Sequence, residues 1–273
     1  MSRTFAVTTS EFRIASRNRW VAISILMMAT FALVLSAAGS SPTGNLGADK
    51  LSVTVASLTS LAVYLVPLVA LLMSFDAIAG EAERGTLPLV LSYPVSRSEI
   101  LAGKMLAHLS ILALALVVGY GIAAAAALMY DAESIRGLTA LIRLFWTSLL
   151  LGAVFLGIGY ATSAVMRRPG AAAGAAIAIW LIIIVLFDLA LLAAVVADNG
   201  GVFTRSIFPW LLVANPADAF RLYNLSASEA TAAAGGIAGA ANGIPPMLAL
   251  ASLATWSVLA FVLAAAAFRR VTP

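Results

Sequence analysis

The sequence predicts an all-α integral membrane protein with six transmembrane helices. Three observations predict it. The 273 residues are 62% hydrophobic and 10% charged, with a mean hydropathy of +1.03, against about 45–50% and 25% in soluble domains. The apolar residues fall into runs of the roughly 20 residues that cross about 30 Å of hydrocarbon. Short alternating segments of about ten residues, the mark of a membrane β-barrel, are absent. The runs lie near residues 20–38, 53–79, 100–130, 138–166, 171–197 and 246–268.

Taking the elements in order, "TFAVTTSEFRIASRNRW" places Phe5 seven residues before Phe12 and Arg13 four before Arg17. This spacing predicts an amphipathic interfacial helix along the cytoplasmic membrane surface. The first span follows at Trp20; its apolar stretch is longer than a signal-peptide core, so it reads as an uncleaved span. The second span carries Asp76 near its end, where anchoring or contact with an N-terminal arginine is expected. Eleven of the sixteen Lys and Arg residues lie in the N-terminal stretch, the loops after spans 2 and 4, and the tail. The positive-inside rule makes these cytoplasmic, so both termini face the cytoplasm. Basic residues scattered over loops do not form a nucleic-acid surface.

The loop at 80–99, "GEAERGTLPLVLSYPVSRSE", is the most charged passage. Gly85 permits a sharp bend, Thr86 is placed to cap a short helix, and Pro88 fits its first turn. Pro94 forbids continuation. Ser96 and Glu99 have capping-box spacing, with Val95 and Ile100 as a hydrophobic staple for span 3. A solvated loop needs none of this construction, so the passage reads as a docking element, with Gly80, Glu81, Glu83, Arg84 and Leu87 completing it. In span 3, His108 is the chain's single histidine, read as a packed, hydrogen-bonded residue rather than a ligand. "GIGYATSA" from Gly157 and "GAAAGAAIA" from Gly170 have small-x-x-x-small spacing for close helix contact, expected within the subunit. Asp188 lies about eighteen residues into span 5, beyond the midplane toward the outside at 1.5 Å per residue. An intramembrane carboxylate is a functional candidate; gating, substrate contact and an interhelical hydrogen bond stay open.

The segment 198–245 reads as a long periplasmic loop, with Ser226 and Glu229 as a second capping box. Its aromatic residues suit either a protein interface or a membrane-interface belt. The chain has no cysteine, and its methionines are scattered without helical pairing, so no metal site is expected. No phosphate-binding G-x-x-x-x-G-K-[ST] loop, H-E-x-x-H or nucleophile elbow occurs. The chain is therefore expected to be non-catalytic and to bind no cofactor itself.

The acidic, arginine and "GTL" run, followed by "PVSR" and "GK", resembles the loop between spans 2 and 3 of type-2 ABC exporter permeases. The resemblance implies a single transmembrane domain over 1–273, in a bacterial inner membrane. It also implies that the loop is a cytoplasmic coupling helix seated on an ATPase, with Gly80, Glu81, Glu83, Arg84, Gly85, Thr86 and Leu87 at the contact. Four further segments, "RNRW", "SLTSLAVYLVPLVALLMSFDAIAGE", "LFDLALLA" and "NPADAFRLYNL", resemble the branch of this family that assists maturation of the copper sites of nitrous-oxide reductase. That branch implies a second copy of the chain, two copies of a cytosolic ATPase that uses ATP and Mg, and a periplasmic β-helical protein. Trp210, Asn215, Pro216, Asp218, Phe220 and Arg221 are the expected contacts to that outer partner. The alternatives are a type-2 permease for a lipid, peptide or drug, and an ion-coupled carrier using Asp188. The carrier predicts inverted repeats, which are not detected. The cargo, whether copper, a sulfur species or none, stays open.

Overall fold

The structure, a computed structural model, describes residues 3–15, 26, 30, 34, 50–92, 94–130, 135, 137–166, 168–225 and 244–271. All regular structure among them is helical. The elements are α1 (Arg3–Ala15), α2 (Lys50–Ser74), α3 (Ala79–Glu83), α4 (Leu87–Ser92), α5 (Arg97–Tyr130), α6 (Leu138–Val165), α7 (Pro169–Asp198), α8 (Phe203–Ala214), α9 (Pro216–Leu225) and α10 (Pro246–Arg269). Five helical stretches are long and apolar enough to cross a membrane: α2 continued through α3, α5, α6, α7 and α10. The expected first span lies outside the described residues, apart from Leu26, Thr30 and Val34. So does the Ser226–Glu229 capping box.

Helix α6 is the centre, packed against α2, α5 and α10. Its glycines make this possible. A Cβ on Gly152 would stand 2.2 Å from Leu112 of α5, on Gly157 2.8 Å from the Ala260 backbone of α10, and on Gly159 1.9 Å from Ser74 Oγ of α2. Three neighbours thus approach one helix through missing side chains. Helix α2 turns Leu51, Val55, Leu58, Ala62 and Val66 inward, and α10 turns Leu253, Ala260, Ala264 and Phe268 inward. These are helical stripes of core residues. The "GIGYATSA" face packs within the subunit as expected. The "GAAAGAAIA" run packs within the subunit through Ala172 and Ala176, both fully buried, whereas a Cβ on Gly170 or Gly174 would meet nothing within 4 Å.

Span 2 is not one continuous helix. It breaks at 75–78 because the Ser163 hydroxyl of α6 accepts the amide hydrogens of Ile78 (3.0 Å) and Ala79 (2.9 Å), which leaves those donors satisfied outside the α-helical ladder. Span 5 runs through Leu181–Leu186 as π-helix, a winding that frees carbonyls from the ordinary ladder. Asn215 Nδ2 donates to the Ile183 carbonyl at 2.8 Å. The span ends at Asn199, in the left-handed conformation with φ 47°, a common helix C-terminus.

The described part of the expected outer loop is largely helical. The α-helical part of α8, from Phe208 after a π-helical turn at 203–207, and α9 each have a proline in the first turn, where the missing amide hydrogen is least needed. Asn215 Oδ1 accepts the Ala217 amide at 2.8 Å and caps α9, as an N-cap asparagine does. Helix α9 folds back onto α2, α6 and α10, and Ser252 and Trp256 of α10 donate to the Val213 and Ala214 carbonyls.

Candidate functional site

At one end of the bundle, α3 and α4 form a projecting elbow. The Arg84 amide returns to the Gly80 carbonyl (3.0 Å), Gly85 to Ala82 (3.2 Å) and Thr86 to Glu81 (2.9 Å). Gly85, at φ +67°, makes the reversal that a Cβ would strain. The Thr86 hydroxyl donates back to the Glu81 carbonyl at 3.3 Å, tying α4 to α3 in place of the expected cap. Leu87 is 1% exposed and pins the elbow to the core, whereas Leu89 is 65% exposed at its outer side. Glu83 and Arg84 are also exposed. Pro94 follows α4, and the capping box is formed: the Ser96 amide donates to Glu99 Oε2 at 2.8 Å and the Glu99 amide to Ser96 Oγ at 3.2 Å. A cavity of about 770 Å³ lies behind the elbow, lined by Leu87, Pro88, Ser163, Met166, Leu263 and Arg270.

Asp76 pairs with Arg84 of the same passage at 3.3 Å; Arg17 and Arg19, among the arginines expected near it, lie outside the described residues. Both side chains of the Asp76–Arg84 pair are about half exposed, so the pair contributes little stability. Gly80 is the clearance for that carboxylate, since a Cβ there would lie 2.1 Å from Asp76 Oδ1.

Beneath the elbow lies an ionic node that motif reading missed. Lys104 of α5 is 2% exposed and donates to Glu11 of α1 at 2.8 Å and to Glu81 of α3. One turn further along α5, His108 hydrogen-bonds through Nδ1 to the Tyr160 hydroxyl and stacks on that ring. The histidine is thus packed and bonded, as expected, and its partner is a buried tyrosine of α6. Arg97 opens α5. Its Nη1 donates to the Phe268 and Val271 carbonyls at 2.7 and 2.6 Å, placing a cation at the C-terminus of α10. A lysine and an acid within helices this apolar are the signal that could have found the node; their partners are 93 residues apart.

A second node stands toward the other end. Asp188 Oδ2 accepts Arg221 Nη2 at 3.0 Å, and Arg221 Nη1 donates to Asp218 Oδ1 at 3.1 Å. The Tyr64 hydroxyl of α2 approaches Asp188 at 3.5 Å. One arginine therefore joins span 5 to α9. Burial, and then the Asp188 charge, push Asp218 up to about 7 against the pull of Arg221; its Oδ2 is buried without a partner. Of the residues expected to meet an outer partner, Asn215, Pro216, Asp218 and Phe220 are buried within the chain, and Arg221 is committed to the two aspartates. Trp210 alone of the six is freely exposed, at 61%. The resemblance located the segment, but its side chains are spent on internal packing. Among the described residues no group of three or more His, Asp and Glu is placed to hold a metal ion.

Comparison with known proteins agrees with this architecture. A model of the family described as "ABC-2 family transporter protein" matches residues 5–272. A Pseudomonas aeruginosa protein named "Probable ABC transporter permease protein NosY" is 43% identical over 270 residues, covering 97% of this chain and 98% of the relative. A protein of the same name from Stutzerimonas stutzeri is 40% identical over 274 residues, covering 99% of each.

Proposed function

This chain belongs to the ABC-2 transporter family, and we propose that it is a NosY-like permease subunit that passes energy from a cytosolic ATPase to the periplasmic side. In this reading the subunit serves assembly of the copper sites of nitrous-oxide reductase. It works as two copies with two ATPase subunits (NosF-like) and a periplasmic β-helical protein (NosD-like), in the bacterial inner membrane with both termini cytoplasmic. ATP and Mg are used by the ATPase, and this chain supplies the relay.

The observation that carries the reading is the elbow. A short helix is held out from the end of the bundle by a left-handed glycine on one side and a closed capping box on the other. Its root is buried at Leu87, and its outward side presents Glu83, Arg84 and Leu89. Rigid geometry with an exposed apolar residue and charges at the rim suits a protein contact. Identity of 40–43% along nearly the whole chain to two proteins named as NosY permeases supports the specific pathway. Among the described residues of the outer segment, exposed Trp210 on α8 is available to meet a periplasmic partner.

Glu83→Ala tests the contact, because the side chain is exposed and its loss leaves the fold intact. The expected result is reduced stimulation of the ATPase and reduced maturation of the reductase at normal membrane levels of the permease. Full activity in this variant would remove Glu83 from the contact.

A further inference from the structure

The elbow is tied to the N-terminal helix through one side chain. Helix α1 lies directly on α5: the Cβ position of Gly103 is 2.6 Å from Val7 Cγ1 and 3.3 Å from the Thr4 carbonyl oxygen. The next residue, Lys104, places its ammonium between Glu11 of α1 and Glu81 of α3. Three elements separated by up to 93 residues in sequence therefore meet at one buried nitrogen.

Two carboxylates face this one ammonium. Glu81 Oε2 is buried and has no hydrogen-bond partner, so the node is under-paired on the elbow side. A buried ionic group holds its neighbours in a fixed relation because leaving either charge alone is unfavourable. One ammonium shared by carboxylates of α1 and α3 makes the placement of both helices depend on the same side chain.

We infer that Lys104 is a positioning residue that makes the N-terminal helix move with the elbow. Displacement of α3 pulls Glu81, the lysine transmits the pull, and Glu11 takes α1 along. The inference rests on the elbow being the ATPase contact.

The absence of cysteine in the chain allows clean single-cysteine reporters. Ser10→Cys reports on α1 and Ser92→Cys on the elbow, since both positions are exposed. Each reporter is placed in the membrane complex with its ATPase, and maleimide labelling rates are measured with and without ATP. In the parent, both rates shift on ATP addition. With Lys104→Met the shift at Ser10→Cys is lost while that at Ser92→Cys persists, and Lys104→Arg restores the Ser10→Cys shift. A residue that only stabilised the fold would not separate the two reporters. Glu11→Gln keeps the Lys104–Glu81 pair and is also expected to lose the Ser10→Cys shift, which supplies the test if Lys104→Met does not assemble. A Ser10→Cys shift that survives in Glu11→Gln or Lys104→Met, or that is absent in the parent while Ser92→Cys responds, overturns the inference and leaves the docking reading standing. No response at either reporter in the parent overturns the docking reading and the inference with it.

Discussion

Gly85→Pro abolishes ATPase stimulation while the chain still inserts and folds. Three local effects converge at this position. Proline fixes φ near −65°, whereas Gly85 sits at +67°. The substitution also removes the amide hydrogen that Gly85 donates to the Ala82 carbonyl. The residue before a proline is driven out of the α region, yet Arg84 lies there at φ −75° and ψ −4°. Interior proline effects alone cost about 3 kcal/mol, enough to reverse a local equilibrium by more than a hundredfold. The damage stays local because no atom lies within 4 Å of the Gly85 Cβ position. Gly85→Ala meets only the left-handed backbone penalty of about 1–2 kcal/mol and is expected to retain partial stimulation. ATP hydrolysis by the reconstituted complex, with gel filtration of the permease as the folding control, checks both. Normal stimulation in Gly85→Pro would mean that the elbow's shape is irrelevant to coupling.

Arg221→Met produces the largest loss of stability. It strips the counter-charge from Asp188 and Asp218 together, and removing one partner of a buried pair costs about 3–5 kcal/mol. The sign of the pH dependence follows from Asp218. Its folded-state pKa is raised, so in wild type the contribution is most favourable below the ordinary carboxyl range and is lost as pH rises toward about 7. Arg221 holds the Asp218 pKa down, so without it the dependence extends to higher pH, and the variant regains stability as pH falls toward and through 7, where protonation removes one of two facing charges. Arg221→Lys keeps the charge but not the fork that reaches both carboxylates, and should fall between. Asp188→Asn leaves the Arg221–Asp218 pair in place and is milder for stability. Thermal unfolding in detergent across pH measures the series. A wild-type melting temperature for Arg221→Met would show that the arginine does not hold span 5 to α9.

Much of this architecture was legible from local signals. Long apolar runs marked the spans because bilayer thickness sets their length. The elbow was readable because its determinants, Gly85, Pro94 and the Ser96–Glu99 box, act within a few residues of themselves. The break in span 2 was not readable: it depends on Ser163, 85 residues from Ile78. The helices α8 and α9 were not expected in the outer segment; Pro209 and Pro216 stand where α-helical winding begins, at Phe208 and Pro216. Asp188, Asp218 and Arg221 were each singled out, but as an intramembrane candidate and an outer surface. Only the folded chain shows that they form one node. Lys104 carried no local signal, because its carboxylate partners belong to α1 and α3 and only the folded chain brings them together.

The docking role of the elbow is tested most directly by a photoreactive amino acid at Leu89, 65% exposed on α4, in the membrane complex with its ATPase. The expected result is a covalent adduct between this position and the ATPase subunit, and none from the same probe at Trp210 on α8. An intact complex that gives no adduct at Leu89, or an ATPase adduct from Trp210 instead, would contradict it.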